Sequence, residues 1–325
     1  MLRKTCGGSS LREFELRGSQ WAAIYALALF AIFFVACGDE TPRTVTVIQQ
    51  VPNDAGAMDG SSGPSDAMPV VPDVTARGED AAVIADLGPP DAMGQAVERK
   101  VLHEVFSGSN CAPCNRSDSL IKDVLNENSG RYTIIKYQIG SDPYVSREAV
   151  NRRMFYLPNA DTYSIPYVHA DGVHGFHPNE INDDQGYLQS NFDQFVSVPT
   201  HMGIEMSHSR QGKTIDVDVR VTSAVDYPSP NLVLFIAVLE NVTFNNVGSN
   251  GQTEFHWVFK KMIPDDRGIG LGPLSAGVPV EIQRSYTFQG EYASDTGIRN
   301  MVNHSQEHTV EDFADLSVVV FVQDI

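Results

Sequence analysis

Apolar residues are distributed along this chain in three distinct textures. From Trp21 to Ala36 they run without a single charge. From residue 38 to 97 they thin out, and no Phe, Trp or Tyr occurs. From Lys100 they return in short periodic bursts. Lys100 to Phe106 reads as a strand, a Gly/Ser/Asn turn follows, and Leu120, Ile121, Val124 and Leu125 then recur at helical spacing until Asn128 to Gly130 supply a stop. Tyr132 to Ile139 is a second strand, and Val150, Met154 and Leu157 mark a helix at i, i+4 and i+7. Ser164 to His169 and Val173 to Phe176 flank Asp171-Gly172, a hairpin-turn dipeptide. Leu188, Phe192, Phe195 and Val196 form the stripe of a last helix.

Beyond Pro199 the pattern is all strand. Met202, Ile204 and Met206 alternate with polar residues, as do Ile215, Val217, Val219 and Val221. Leu232 to Leu239 is a continuous apolar run suited to a central strand. Phe255 to Ile263, Val278 to Phe288 and Leu316 to Gln323 complete the set, which predicts an antiparallel β-sandwich of Ig-like type. The expected fold class is therefore α/β plus all-β. An α/β domain over residues 98–198 precedes a β-sandwich domain over 201–325.

The first two textures predict export and a tether. Four basic residues (Arg3, Lys4, Arg12, Arg17) precede the charge-free run, whose sixteen residues span roughly 24 Å against a ~30 Å hydrocarbon core. A cleaved signal over residues 1–36 fits better than a permanent span. Residues 38–97 hold seven prolines, seven glycines, and ten acidic side chains against two arginines. Such a segment cannot bury enough apolar surface to offset its ordering entropy, so 37–97 is expected to be a disordered acidic linker.

Charge narrows the partners. The formal net charge is −18, and residues 1–37 contribute more basic than acidic side chains, so the remainder is more acidic still. That surface repels phosphate backbones and excludes nucleic acid as a partner. At 42% hydrophobic and 20% charged residues, global disorder is excluded too.

Of the four cysteines, Cys111 and Cys114 form a CAPC sequence between a predicted strand and a predicted helix. There, Cys111 falls at the first helical turn, where free N–H groups and the positive dipole end stabilise a thiolate. Cys114 faces back toward it, placed to resolve a mixed disulfide. Other readings stay open at this point: a structural disulfide, weak because its loop is so short; half of a zinc site completed by histidines; and an inert relic serving as a scaffold. His169, His174 and His177 surround the predicted hairpin, and with the cysteines they offer copper or zinc ligands. At spacings of five and three they match no tight metal motif, and they read first as solvated hairpin side chains. Asp142, Asp265 and Asp266 read as solvated loop charges. No nucleophile-elbow motif occurs and no cofactor is implied.

Two resemblances rest on these residues. Residues 100–198 resemble a thioredoxin-fold domain, with CAPC close to that family's CGPC and Ser164-Ile165-Pro166 similar to its cis-proline loop. The resemblance implies Cys111 as nucleophile, Cys114 as resolving thiol and Pro166 as the cis residue presenting backbone to a peptide. It also departs from the family: Asn110 stands where Trp is usual, and Glu104, the candidate for the buried assisting carboxylate, lies one residue further from the first cysteine. Phe34-Val35-Ala36-Cys37-Gly38 resembles a bacterial lipobox, with Phe34 in place of the usual Leu. This implies lipidation of Cys37 and insertion of its acyl chains into a lipid bilayer. Lipobox, acidic tether, VLHEVFSGSNCAPC and a β region containing His256-Trp257-Val258-Phe259-Lys260 together resemble the Omp28-related outer membrane lipoprotein family. The combination implies a cell-envelope lipoprotein, at the outer membrane, with exported proteins or peptides as thiol–disulfide substrates. The alternatives are a surface binding or adhesion lipoprotein that uses the fold as scaffold, and copper or zinc handling through the CxxC.

Overall fold

Strand β8 (Leu232–Thr243) organises the molecule, because its run from Leu232 to Leu239 is buried on both faces. Each such side chain taken from water contributes about 1.5–3 kcal/mol. The computed structural model describes residues 49–52, 99–158, 164–293, 296–297 and 299–325. Those residues form β1 (Gln49–Pro52), β2 (Val101–Ser107), α1 (Ala112–Asn126), β3 (Tyr132–Gln138), α2 (Arg147–Tyr156), β4 (Tyr167–Ala170), β5 (His174–Phe176) and α3 (Gln189–Val196). There follow β6 (Met202–Gln211), β7 (Thr214–Ser223), β8, β9 (Phe255–Ile263), β10 (Ile269–Gly270), β11 (Val280–Thr287), β12 (Glu291–Tyr292), β13 (Glu307–His308) and β14 (Leu316–Asp324).

Among the described residues the chain is β-rich, with one mixed sheet, one smaller antiparallel sheet and a parallel two-stranded pair of β12 and β13. The large sheet runs β1-β14-β8-β9-β3-β2-β4-β5, with β10 added alongside β8. The smaller sheet, β11-β7-β6, is antiparallel throughout. Its inward residues, among them Ile204, Val217, Val219 and Ile282, pack on Leu234, Ile236, Val318 and Val320 of the large sheet. This face-to-face packing is consistent with a β-sandwich, but the large sheet is mixed rather than antiparallel as the alternation leads one to expect, since β3 pairs parallel with both β2 and β9.

The opposite face of β8 and β14 carries a second core. Phe235, Ala237, Val319 and Phe321 join Phe106, Tyr137 and Phe259 there, with Ala149 and Val150 of α2 over them. A third core fills the far side of β2 and β3. It holds Val101, Val105, Ile121, Leu125, Phe192 and Phe195, contributed by the strands and by α1 and α3.

The sequence pattern divides the chain into separate sheets near residue 200, whereas the strands form one sheet across that point. Parallel pairing of β3 with β9 at Lys136 and Val258 makes the join. Two apolar edges meet there, so neither remains an open template for pairing. A second difference concerns α2. Of the expected Val150, Met154, Leu157 stripe, only Val150 is buried. Met154 is 47% exposed, while Arg152 and Arg153 are buried, because Arg152 finds a carboxylate and aromatic rings below it.

Within the segment expected to be a tether, Gln49–Pro52 forms β1 and pairs antiparallel with β14. The outer edge of a Val-Val-Val-Phe-Val strand would otherwise present unpaired backbone. The segment expected to be a signal, Cys37 and the rest of the expected linker lie outside the described residues.

Candidate functional site

The strand-to-helix junction is tight by construction. β2 ends at Ser107, and a Cβ on Gly108 would lie 2.8 Å from the Ile139 carbonyl oxygen, so only glycine fits there. The chain then turns, and the Cys111 N–H donates to the Gly108 carbonyl at 3.1 Å. Cys111 is the N-cap of α1 in an extended conformation, without a side-chain cap, and no acidic residue occupies the first turn. Its helix N-terminus therefore offers a positive dipole end to the sulfur. Pro113 is tolerated inside that turn, where a missing N–H costs nothing.

Cys111 and Cys114 are joined in a disulfide. Cys111 is partly exposed, whereas Cys114 is fully buried. The Ile165–Pro166 peptide is cis, and the Ile165 carbonyl oxygen lies 3.5 Å from Cys111 Sγ. Thus Cys111, Cys114 and the residue preceding Pro166 are brought to one place. A groove of about 360 Å³ opens beside them, with Asn110, Cys111 and Pro113 on one side and Ile139, Ser141 and Ile165 on the other. None of its lining residues is charged.

Glu104 is elsewhere engaged. Its Oε1 accepts from Tyr137 Oη at 2.8 Å and Arg152 Nε at 2.7 Å; its Oε2 accepts from Arg152 Nη2 at 2.8 Å and from Tyr156 Oη. Burial alone would raise this carboxyl, but the Arg152 charge and the hydrogen bonds outweigh it and hold Glu104 below its ordinary value. A carboxylate so held is no proton acceptor for a thiol near neutral pH.

The carboxylate bracing the CxxC turn is Asp142, which the sequence places among solvated loop charges and the structure buries completely. It accepts the Ser109 N–H at 2.9 Å and the Tyr144 N–H at 2.8 Å. Burial pushes its pKa up, and those N–H bonds partly offset the rise. Asp118, one helical turn beyond Cys114, is also buried and accepts from Lys136 Nζ at 2.5 Å. Asp265 pairs with Arg267, and Asp266 accepts from Asn151.

The histidines do not converge on the cysteines. His169 is buried rather than solvated and stacks on Tyr156 at 3.9 Å, and burial lowers its pKa to about 4. His174 stacks on Phe195, and His177 Nδ1 lies 3.0 Å from the Pro166 carbonyl. Among the described residues, no group of three or more His, Cys, Asp or Glu is arranged to hold a metal ion. Nor, among them, is any helix long and apolar enough to cross a membrane.

Sequence reasoning missed the loop between β8 and β9, which closes over the turn. Asn250 N–H donates to the Ser109 carbonyl at 3.0 Å, and Ser249 N–H donates to Asn110 Oδ1 at 3.0 Å. Its signal was the repeated asparagine at 241, 245, 246 and 250, an amide-rich stretch between two apolar strands.

No family model matches the chain. No curated protein matches it either. Among solved structures, HBP35 of Porphyromonas gingivalis is similar over 60% of this chain at 12% identity, with a TM-score of 0.48. The chain covers 66% of that protein, just under two thirds of its length. A structural genomics target from Agrobacterium tumefaciens is similar over 58% of this chain and 79% of its own, at 13% identity and a TM-score of 0.38. At such scores and identities neither likeness establishes a shared fold.

Proposed function

We propose that this chain is a cell-envelope lipoprotein whose residues 98–198 form a thioredoxin-like unit performing thiol–disulfide exchange at Cys111 and Cys114. The observation that carries the reading is a disulfide at a helix N-terminus whose two sulfurs differ in access: Cys111 opens onto a groove and Cys114 is sealed behind it. Supporting the thioredoxin-like assignment is the strand order β3-β2-β4-β5, in which β2 pairs parallel with β3 and antiparallel with β4. Attachment through acylated Cys37, and membership of the Omp28-related lipoproteins, rest on the sequence resemblance.

In the oxidised state, a substrate thiolate attacks Cys111 Sγ. The Cys111–Cys114 bond breaks and Cys114 leaves as a thiolate, later protonated. A second substrate thiolate attacks the substrate sulfur of the mixed disulfide, and Cys111 leaves. The substrate dithiol loses two electrons and two protons, and the pair gains them. In reverse, Cys111 thiolate attacks a substrate disulfide and Cys114 resolves it. The groove's neutral lining suits an extended peptide segment without charge beside its cysteine.

The test is dithiothreitol-driven reduction of insulin disulfides by the full chain in detergent. Catalysis above the dithiothreitol background, abolished by Cys111→Ser, is expected. A rate no greater than background overturns the reading. It would leave the scaffold alternative, which draws support from the exposed apolar side chains of Phe244 and Val247 on the β8–β9 loop that closes over the turn.

A further inference from the structure

The CxxC turn is held from both halves of the chain: Asp142 and the Ser141 carbonyl grip it from its own half, and one loop of the other half grips it as well. Ahead of the cysteines, the Asn250 N–H donates to the Ser109 carbonyl at 3.0 Å and Asn250 Nδ2 reaches the Gly108 carbonyl at 3.4 Å. Asn110 Oδ1 accepts the Ser249 N–H at 3.0 Å. Behind them, Asn115 Nδ2 donates to the Asn250 carbonyl at 3.1 Å, and Gln252 Nε2 donates to Asp118 Oδ2 at 2.6 Å. Asn250 is buried, and its Oδ1 accepts the Gln252 N–H at 2.9 Å, which fixes the amide's orientation.

The approach is close enough to demand glycine. A Cβ on Gly248 would lie 2.5 Å from the Ser109 carbonyl oxygen and 2.6 Å from Asn110 Oδ1. The Ser109 atom is backbone and cannot swing aside. Asp142 holds the same turn from beneath, through the Ser109 N–H. Ser109 is thus gripped at both polar backbone atoms, one by the buried carboxylate and one by the loop.

We infer that the β8–β9 loop is a redox-tuning clamp, in which Gly248 and Asn250 are positioning residues that fix the N-cap geometry of Cys111 and thereby the balance between the dithiol and disulfide states. The inference rests on the exchange reading of Cys111 and Cys114. Physically, the reduced form depends on Cys111 sulfur staying aligned with the free N–H groups of the first helical turn. The Ser109 carbonyl lies two residues upstream of that sulfur, and the loop's Asn250 N–H is what holds it. Tied to the loop, it is kept from turning toward the sulfur. Released, it lies free to reorient, the thiolate loses stabilisation, and the disulfide becomes the favoured state.

The experiment measures two quantities on the full chain in detergent: the equilibrium constant of the Cys111–Cys114 couple against glutathione, and the pH midpoint of Cys111 alkylation. Gly248→Ala, whose Cβ would push the loop off the Ser109 carbonyl, and Asn250→Pro, which removes the N–H donated to that carbonyl, are expected to make the disulfide about tenfold harder to reduce, a fall of about 30 mV for this two-electron couple. They are also expected to move the alkylation midpoint upward. Ser249→Ala, which leaves the backbone N–H in place, is expected to change neither. Where Gly248→Ala does not fold, Asn250→Pro and Asn110→Ala, which removes the acceptor of the Ser249 N–H, carry the test. Variants that lower the melting temperature yet leave both quantities unchanged overturn the inference, because the loop is then only structural. The glutathione equilibrium is measurable whether or not the protein catalyses exchange on a substrate. An inactive wild type therefore counts against the proposed function, and an unshifted equilibrium counts against the clamp.

Discussion

Glu104 of β2 and Arg152 of α2 meet in a two-pronged ion pair sealed from solvent, with side chains 0% and 2% exposed. Gln323 of β14 accepts from Arg152 Nη2 at 2.7 Å, and the guanidinium lies 4.6 Å from the Phe235 ring centroid. The pair thus ties the strand leading to the cysteines to strands of the C-terminal half.

Removing one partner of such a pair leaves an uncompensated buried charge. Glu104→Gln is expected to cost about 3–5 kcal/mol in urea unfolding. The same variant should leave the Cys111 alkylation midpoint in place, since Glu104 serves Arg152 and not the thiols. A displaced midpoint would show that Glu104 assists the cysteines after all.

Stability should fall in mild acid through two buried histidines. Burial lowers both His103 and His169 to about 4, against 6.5 for a free imidazole. Between those values the unfolded chain binds protons that the folded one excludes. Their contribution is therefore complete above pH 6.5 and is lost as pH falls toward 4, by up to about 1.4 kcal/mol per pH unit for each. The opposing charges of Glu104 and Arg152 both face His169. Thermal unfolding of His169→Phe should show a flatter dependence from pH 6.5 to 4 than the wild type. An unchanged slope would contradict the assignment.

One sheet spanning both halves implies one unfolding transition. All described residues belong to a single compact unit, and the second core draws side chains from β2, β3, β8, β9 and β14 together. Calorimetry of the full chain is expected to give a single cooperative peak for this unit. Two well-separated peaks would mean that the join at Lys136 and Val258 does not couple the halves.

Local pattern carried much of this architecture. The alternation in β6 and β7, the continuous run of β8 and the Asp171-Gly172 turn are all visible as periodicity, and Asp171 and Gly172 do adopt positive φ. Periodicity cannot reveal partners distant in sequence. The pairing of β3 with β9 and the edge strand β1 depend on such partners. So does the buried face of α2: Arg152 looks like a surface residue until Glu104, 48 positions away, is seen beneath it.

The candidate site divides in the same way. Cys111, Cys114 and Pro166 stand out because their chemistry is rare and local in the chain. Asp142 and Asn250 do not, because a loop carboxylate or amide acquires meaning only from the backbone it meets. Ser109 lies 33 positions from Asp142. The histidines mislead for the converse reason: their clustering in sequence is real, but the pleat of β4 and β5 sends them to different neighbours.

The most direct measurement is the rate of iodoacetamide alkylation of Cys111 in the reduced protein as a function of pH. An accessible sulfur at the unblocked N-terminus of α1 should titrate well below pH 7, with the rate already on its plateau at neutrality. A midpoint near 8.5, that of an ordinary thiol, would contradict the account and leave the cysteine pair without a redox role.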